Sequence, residues 1–239
     1  MKAMIFAAGK GTRLGALGLK KPKALVEING KALLLRSLET AHSLGITEVV
    51  VNIHHLGEQI IEFLGQHTPP SLNIHLSDER DELLDTGGGL KKASQFLGGT
   101  EDILLMNADI IHSIDLRKMH AQHQQSGALA TLAVSKRNSS RQLLFDQQLL
   151  LRGWRENKPG EAKEEQAYQA YAFSGVHLIK PELFTLFDQE TIFPIIPFYL
   201  KWCQQYPIRA FEHSAEGWFD LGTPEKIARA EAFLQKMNP

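Results

Sequence analysis

The spacing of apolar and polar positions predicts strands and helices in alternation. Residues 2–7 form a short apolar run, and residues 48–53 form a β-branched run, so both are predicted to be buried strands. Residues 32–44 place apolar side chains at helical spacing and precede Gly45, a helix stop signal. The same patterns predict helices at 56–64 and 115–125, and strands at 72–76, 102–106 and 128–134. This alternation implies right-handed crossovers and a mainly parallel sheet.

The alternation weakens after residue 135. A hairpin is predicted around Asp146-Gln147, followed by a charged loop over 156–166. Beyond it we predict a strand over 168–179 and helices over 181–187, 192–204 and 224–236. Because no linker or internal repeat interrupts the chain, we expect the second half to extend one sheet within a single domain.

A glycine-rich loop follows the first strand and reads Ala7-Ala8-Gly9-Lys10-Gly11-Thr12-Arg13. Glycines let the backbone approach a ligand closely, and successive N–H groups can then cradle phosphate oxygens. Residues 1–31 hold seven Lys and Arg residues but one acidic residue, while the whole chain carries a net charge of −1. Positive charge concentrated beside one loop suits a small polyanion better than nucleic acid, which needs a basic face.

Two familiar phosphate-binding motifs fit this loop poorly. A Walker A motif needs Ser or Thr after its lysine, and neither Lys10 nor Lys31 is followed by one. The dinucleotide fingerprint needs a third glycine at position 14, where Leu14 stands. A dinucleotide-dependent oxidoreductase is therefore disfavoured. The glycines alone leave open a plain turn between strand and helix.

Two aspartates are candidate ligands for Mg²⁺. Asp109 follows the apolar run 103–106, so it is expected at the carboxyl end of a central strand, where open α/β sheets bind ligands. Asp220 lies far along the chain, between aromatic and glycine-containing segments. Mg²⁺ typically takes one or two carboxylates together with substrate phosphates. The alternative is that Asp109 caps a helix and Asp220 forms a turn.

Several motifs together resemble the family of sugar-1-phosphate nucleotidyltransferases. The Ala-Ala-Gly-x-Gly-Thr-Arg loop ends at Arg13. A Pro-Lys pair, Pro22-Lys23, follows, and its lysine stands ten residues after Arg13. The resemblance extends over almost the whole chain, through the segments Thr86-Gly87-Gly88-Gly89, Asn107-Ala108-Asp109, Phe173-Ser174-Gly175-Val176 and Trp218-Phe219-Asp220-Leu221-Gly222. The chain departs from the family at Ala16-Leu17-Gly18, where Pro-Leu-Thr is usual, at Ala24 and at Ala108.

The resemblance implies an α/β fold, a single Rossmann-like domain with a mainly parallel, mixed central sheet flanked by helices. Residues 1–135 would be the nucleotide-binding half and residues 136–239 the sugar-binding and covering half. It implies an enzyme that uses Mg²⁺, held by Asp109 and Asp220, to join a nucleoside triphosphate to a sugar 1-phosphate. Arg13 and Lys23 would be the catalytic cations.

The same resemblance implies the remaining site residues. Gly87 and Gly88 would contact the base ahead of a helix beginning near Leu90, although a loop and helix cap is the alternative. Glu156 and Gly175 would face the sugar, although Glu156 also fits a solvated loop. The nucleotide would further be bound by Ala8, Gly9, Gly11, Thr12 and Asn107.

The short chain and the Asp85-Thr86-Gly87-Gly88-Gly89 segment most resemble the uridylyl-transferring branch, which implies UTP and N-acetylmuramic acid 1-phosphate. The lactyl carboxylate of that sugar should want a cationic partner. Arg137, Arg141, Arg152 and Arg155 are available, but no spacing selects one. Alternatives are a guanylyl- or cytidylyltransferase acting on a hexose or heptose 1-phosphate, and a non-catalytic nucleotide or sugar-phosphate sensor.

Composition restricts the cellular setting. Cys203 is the single cysteine, which fits a reducing compartment. The apolar run at the start of the chain is too short for a signal peptide, and no stretch approaches the ~18 apolar residues of a membrane span. We therefore expect a cytoplasmic protein, a monomer or small homo-oligomer, that binds neither nucleic acid nor membrane.

Overall fold

The computed structural model describes residues 1–9, 11, 16–157, 168–214 and 217–237. Two residues of the predicted site, Thr12 and Arg13, lie outside these ranges, as does most of the charged loop predicted over 156–166.

The centre of the sheet is parallel, as predicted. Strands β6 (Ile103–Asn107), β1 (Lys2–Phe6), β4 (Glu48–Ile53) and β5 (Asn73–Asp78) lie side by side in that order. Parallel strands covered on both faces read as continuous apolar runs, which is why residues 2–7 and 48–53 could be recognised. The carboxyl ends of all four strands therefore meet at one edge.

Strand β11 (Gln169–Ile179) continues the sheet in the antiparallel sense beside β6. It also pairs with β8 (Ala130–Ser135) and β9 (Arg141–Phe145), and β9 forms the predicted hairpin with β10 (Leu151–Glu156). Strand β12 (Ile208–Glu212) pairs in parallel with β8 and was not predicted. The sheet is thus mixed, with a parallel centre and an antiparallel extension.

Helices cover both faces of the sheet. They are α1 (Ala16–Lys20), α2 (Leu33–Ser43), α3 (Gly57–His67), α4 (Asp85–Leu97), α5 (Leu116–Ser126), α6 (Ile195–Trp202) and α7 (Pro224–Met237). Ala3 and Ile5 of β1 join one buried cluster with α2, while Met4 joins the other cluster with α4 and α6. Leu34 and Leu38 of α2 are fully buried, which stabilises the fold by about 1.5–3 kcal/mol each.

Two helix predictions need correction. Helix α4 begins at Asp85 rather than near Leu90, and its glycines are buried inside the first turns. Glycine disfavours helix in isolation, but here close packing requires it, so tertiary structure overrides propensity. The helix predicted over 181–187 is a 3₁₀ segment, Pro181–Leu186.

A short antiparallel ribbon carries the C-terminal segment back to the sheet edge. It consists of β7 (Ile110–His112) and β13 (Trp218–Asp220), and Asp220 pairs with Ile110. The N–H of Leu221 donates to the carbonyl of Asp109 at 3.1 Å. A smaller pair, β2 (Glu27–Ile28) and β3 (Lys31–Ala32), precedes α2. None of the helices in the described part of the chain has the length and apolar character to cross a membrane.

Candidate active site

Two cavities meet at the carboxyl end of β6, and both are lined by Asn107 and Asp109. The loop cavity, of about 420 Å³, lies beside the glycine loop and is lined by Ala8, Gly9 and Lys23, among others. The ribbon cavity, of about 490 Å³, lies beside the β7–β13 ribbon. A molecule in one cavity can therefore contact a molecule in the other at the end of β6, as expected for the carboxyl edge of an open sheet.

Two carboxylates and one ammonium group converge where the cavities meet. Nζ of Lys23 donates to Oδ2 of Asp109 and lies 3.6 Å from Oδ1 of Asp220. Asp220 also accepts from Nζ of Lys226 at 2.9 Å. The ribbon explains the convergence, because pairing of Asp220 with Ile110 places it beside Asp109 despite the distance in sequence.

The two aspartates fit a divalent cation. Both reach the single ammonium of Lys23, so one cation can contact both carboxylates. Their side chains are 34% and 27% exposed, which leaves oxygen atoms accessible from the cavities. Among the described residues no group of three or more His, Cys, Asp or Glu could hold a metal. A metal here would therefore take its other ligands from phosphates or water, as Mg²⁺ commonly does.

Asn52 accepts hydrogen bonds from the start of the glycine loop. The N–H groups of Ala7 and Ala8 both donate to Oδ1 of Asn52, at 2.7 and 3.3 Å. Gly9 is exposed at the cavity wall. Gly11 has φ +63°, and a Cβ there would lie 3.6 Å from Cβ of Lys23, so Gly11 lies close to this lysine. The predicted role of Ala8 in nucleotide binding stays a prediction, and its amide is engaged by Asn52.

Gly87 and Gly88 are glycines because another segment packs on them. A Cβ at Gly87 would come 2.3 Å from the ring of Phe193, and one at Gly88 would come 2.0 Å from the carbonyl oxygen of Thr191. Both amides donate to the carbonyl of Phe193, at 2.8 and 3.1 Å. Their contact with a base remains a prediction. The residues of this helix that line the loop cavity are Asp85 and Thr86.

Gly175 lies in β11 where the register with β8 shifts. It has φ +71°, and a Cβ there would come 2.2 Å from Cδ1 of Ile110 and 2.8 Å from Nδ2 of Asn107. Close approach of these two side chains explains the glycine inside the strand, and the predicted contact of Gly175 with the sugar stays a prediction. Gly175 and Asn107 are thus brought together at the wall of the ribbon cavity.

Of the four arginines considered from the sequence, only Arg137 lines the ribbon cavity. Its guanidinium lies 3.8 Å from the centre of the Trp218 ring and donates to the carbonyl of Phe173 at 2.6 Å. Burial lowers the pKa of Arg137 from its ordinary value, and the nearby Asp220 opposes this shift. The other arginines are elsewhere: Arg152 donates to Asp146, Arg155 donates to Gln142, and Arg141 is exposed at the start of β9.

Glu156 ends β10 and is exposed. It lines neither of the two cavities described above, so the structure does not bring it to the site. The segment that follows, residues 158–167, lies outside the described ranges, and the sugar contact of Glu156 stays a prediction.

Sequence reasoning missed a buried polar pair, Asn52 and Glu79, in the wall of the loop cavity. Nδ2 of Asn52 donates to Oε1 of Glu79 at 2.8 Å. Their signal was present: a polar residue at the end of an apolar strand, and a second one directly after the neighbouring strand. Lys226 and Trp218, which line the ribbon cavity, gave no signal of their own as cavity residues.

The chain matches known proteins over nearly its whole length. The nucleotidyl transferase family model matches residues 2–237. Over 241 residues the chain is 29% identical to the N-acetylmuramate alpha-1-phosphate uridylyltransferase of Neisseria meningitidis serogroup B, covering 97% of each protein. It is 33% identical over 137 residues to the mannose-1-phosphate guanylyltransferase catalytic subunit beta of Dictyostelium discoideum, but that match covers 57% of this chain and 38% of the relative.

The fold is shared with solved structures of low sequence identity. The UDP-glucose pyrophosphorylase of Acinetobacter baumannii superposes with a TM-score of 0.81 at 16% identity, covering 100% of this chain and 94% of that one. The predicted Rossmann-like α/β fold with a mixed central sheet is therefore confirmed.

Proposed function

Because this chain belongs to the nucleotidyl transferase family, we propose that it transfers a nucleotidyl group from a nucleoside triphosphate to a sugar 1-phosphate, releasing pyrophosphate. The observation that carries this proposal is the convergence of Lys23, Asp109 and Asp220 where two cavities meet. Nucleotidyl transfer needs two phosphate-bearing substrates at one point, with opposite charge placed around them.

In this reaction an oxygen of the sugar phosphate attacks the α-phosphorus, and the bond to the pyrophosphate oxygen breaks. Two anionic groups must approach, so alignment and charge neutralisation supply most of the acceleration. Lys23 is placed to neutralise charge at the meeting point of the substrates. Arg13, in the glycine loop, is proposed to hold the outer phosphates. No side-chain nucleophile is required.

Mg²⁺ is the proposed metal, held by Asp109 and Asp220. When bound, it would supply charge neutralisation for the phosphate oxygens of both substrates. Asp220 is oriented by the ribbon and by Lys226 at 2.9 Å, so its carboxylate is positioned before any substrate enters.

The proposed division of the chain follows the cavities. The loop cavity is lined by residues from the first 109 positions together with Ile192, and would take the nucleotide. The ribbon cavity draws on Arg137, Phe173, Trp218 and Lys226, and would take the sugar phosphate. Residues 1–135 and 136–239 thus act as nucleotide-binding and sugar-binding halves of one domain.

UTP is the proposed nucleotide, and N-acetylmuramic acid 1-phosphate is the proposed sugar. The full-length relative from Neisseria meningitidis, whose name states these specificities, supports both. Arg137 supports the acidic sugar independently, because its guanidinium is fixed by Trp218 and Phe173 at the wall of the ribbon cavity. A fixed guanidinium is a good partner for a carboxylate. Because the chain also matches part of a guanylyltransferase, GTP is the alternative nucleotide against which UTP is tested.

The deciding experiment measures pyrophosphate release for UTP, GTP, CTP, ATP and dTTP against the 1-phosphates of N-acetylmuramic acid, N-acetylglucosamine, mannose and glucose. The expected result is Mg²⁺-dependent release that is fastest with UTP and the muramyl sugar. Fastest release with GTP and mannose 1-phosphate would assign the protein to guanylyl transfer. Nucleotide binding without pyrophosphate release from any pair would make the chain a sensor rather than an enzyme.

A further inference from the structure

A buried chain of hydrogen bonds links the glycine loop to the start of α4. Oδ1 of Asn52 accepts from the amides of Ala7 and Ala8, and its Nδ2 donates to Oε1 of Glu79 at 2.8 Å. Oε2 of Glu79 accepts from the amide of Leu84 at 3.2 Å, one residue before α4 begins. Two side chains therefore connect the two walls of the loop cavity.

These side chains are almost completely buried. Asn52 is 3% exposed and Glu79 is 1% exposed. Burial raises the pKa of the Glu79 carboxyl, while the hydrogen bond from Asn52 opposes the shift. A buried carboxylate is costly unless its oxygens are satisfied. Such a carboxylate in the wall of the loop cavity calls for a reason beyond packing.

The neighbouring glycine is fitted to this pair. A Cβ at Gly89 would come 2.7 Å from Oε1 of Glu79 and 3.2 Å from Nδ2 of Asn52. The third glycine of the segment is therefore required by the polar pair, whereas Gly87 and Gly88 are required by the segment 191–193. Asn52, Glu79 and Gly89 therefore pack as one group, and a side chain at position 89 would disturb the other two residues.

We propose that Asn52 and Glu79 are positioning residues for the nucleoside triphosphate. They fix the distance between the start of the glycine loop, which would hold phosphates, and the start of α4, where Asp85 and Thr86 line the base side of the cavity. This inference rests on the proposed function, because it assumes that the loop cavity takes the nucleotide. The pair acts through backbone amides and touches no reacting atom.

The direction of each hydrogen bond makes the proposal testable by exchange. Among the described residues, the hydrogen-bond partners outside the pair are all backbone donors, so the two side chains must present acceptors outward and share one donor between them. In Asn52→Asp two carboxylates face each other without a donor. In Glu79→Gln the new amide can satisfy only one of its two donor neighbours. The double variant N52D/E79Q restores every hydrogen bond, with the inner one reversed, and keeps the net charge.

The experiment compares the wild type, both single variants and the double variant in steady-state pyrophosphate release. We expect each single variant to raise KM for the nucleoside triphosphate about tenfold or more, since a buried group loses its partner. KM for the sugar phosphate should change little, and the double variant should recover most of the wild-type KM. A merely structural role would lower the melting temperature and the active fraction without this split between the two KM values.

The outcomes separate the inference from the proposed function. If the wild-type protein releases no pyrophosphate from any triphosphate, the proposed function fails. If the wild type is active but a single variant keeps its KM for triphosphate, or the double variant is no better than the singles, the positioning role is overturned. Should the single variants not fold, Gly89→Ala replaces them. It pushes a methyl group against the pair, and an unchanged KM for triphosphate would again overturn the role.

Discussion

The two cavities that meet at Asp109 are built in different ways. In the wall of the loop cavity, the buried polar side chains Asn52 and Glu79 are bonded to backbone amides. In the wall of the ribbon cavity, the charged side chains are partly exposed, and Lys226 pairs with Asp220. The hydrogen bonds of Asn52 and Glu79 are buried in the first wall, whereas the Lys226–Asp220 ion pair of the second wall is partly exposed, so a charged ligand can reach it.

This difference indicates how each side recognises its ligand. A wall whose buried side chains are fixed to backbone amides holds one shape, and it discriminates by leaving a wrong group without a partner. A wall of charged side chains selects for charge and tolerates changes of shape. We therefore expect the nucleotide side to be strict in geometry and the sugar side to be selective mainly for anionic groups.

The largest expected effect tests the place where the two cavities meet. Asp109→Ala and Asp220→Ala should each lower Mg²⁺-dependent turnover by about 10²-fold or more, because each removes one of the two proposed carboxylate ligands of Mg²⁺. The measurement is kcat for pyrophosphate release at saturating Mg²⁺. Asp102→Asn, at the opposite end of β6, is the control and should stay within a few-fold of wild type. Near-normal turnover of Asp220→Ala would remove the two-carboxylate site.

A smaller effect, confined to the ribbon side, is expected from Arg137→Gln. Loss of a charge-assisted contact should lower kcat/KM for the muramyl sugar by about 10- to 100-fold. The neutral N-acetylglucosamine 1-phosphate should be affected less, and KM for the triphosphate should hardly change. The control is Arg141→Gln, in an exposed arginine at the start of β9. Equal losses for both sugars would contradict selection through a carboxylate.

The packing of helix α4 against residues 191–193 is tested by comparing two helical glycines, one at this contact and one in open space. Gly87→Ala should destabilise the protein by about 1–3 kcal/mol, because its methyl group would overlap the ring of Phe193. Gly65→Ala, in α3, meets nothing within 4 Å and should stabilise by about 0.5–1 kcal/mol. Urea unfolding measures both. The assignment of close packing fails if the two variants shift stability in the same direction.

The smallest expected effect concerns the pH dependence of stability. It compares one buried ionisable group from each half of the chain. Burial lowers the pKa of His177 to about 3, so its contribution to stability is complete above its ordinary pKa of 6.5 and is lost as pH falls. Burial raises the pKa of Glu79. The stability that this group contributes therefore changes in the opposite sense to that of His177, and it is lost as pH rises above the ordinary pKa of a glutamate.

From pH 6.5 to 5.5, protonation of this histidine in the unfolded chain should lower the free energy of unfolding by about 1 kcal/mol. His177→Gln should remove that part of the slope, since glutamine can still bond the hydroxyl of Tyr199, which lies 2.8 Å from Nδ1 of His177. Urea unfolding at both pH values tests this. A variant with the wild-type slope would show that another group titrates.

The parallel centre of the fold could be predicted because its strands are continuous apolar runs bounded by glycine. β12 could not, since five residues between polar segments carry little periodic signal, and its place depends on pairing with β8. The start of helix α4 was predicted near Leu90, which is too late, because three consecutive glycines in a sequence suggest a loop. Only packing against residues 191–193 shows why they stand in a helix.

The site divides in the same way. Lys23, Asp109 and Asp220 could be proposed from motifs, and the structure brings them together. Arg137 could be named but not chosen from four arginines, because its selection depends on stacking against Trp218, which comes from a distant part of the chain. Glu79 was missed because a carboxylate in a loop usually faces water, whereas here the fold closes over it.

The β7–β13 ribbon has a consequence for the order of events during synthesis. A growing chain completes β1, β4, β5 and β6, and with them most of the loop cavity, long before Asp220 leaves the ribosome. The second carboxylate arrives only when residues 218–220 pair with residues 110–112. Among the described residues β13 is the last strand along the chain, so Lys23, Asp109 and Asp220 come together only after residues 218–220 have been made and have paired with residues 110–112.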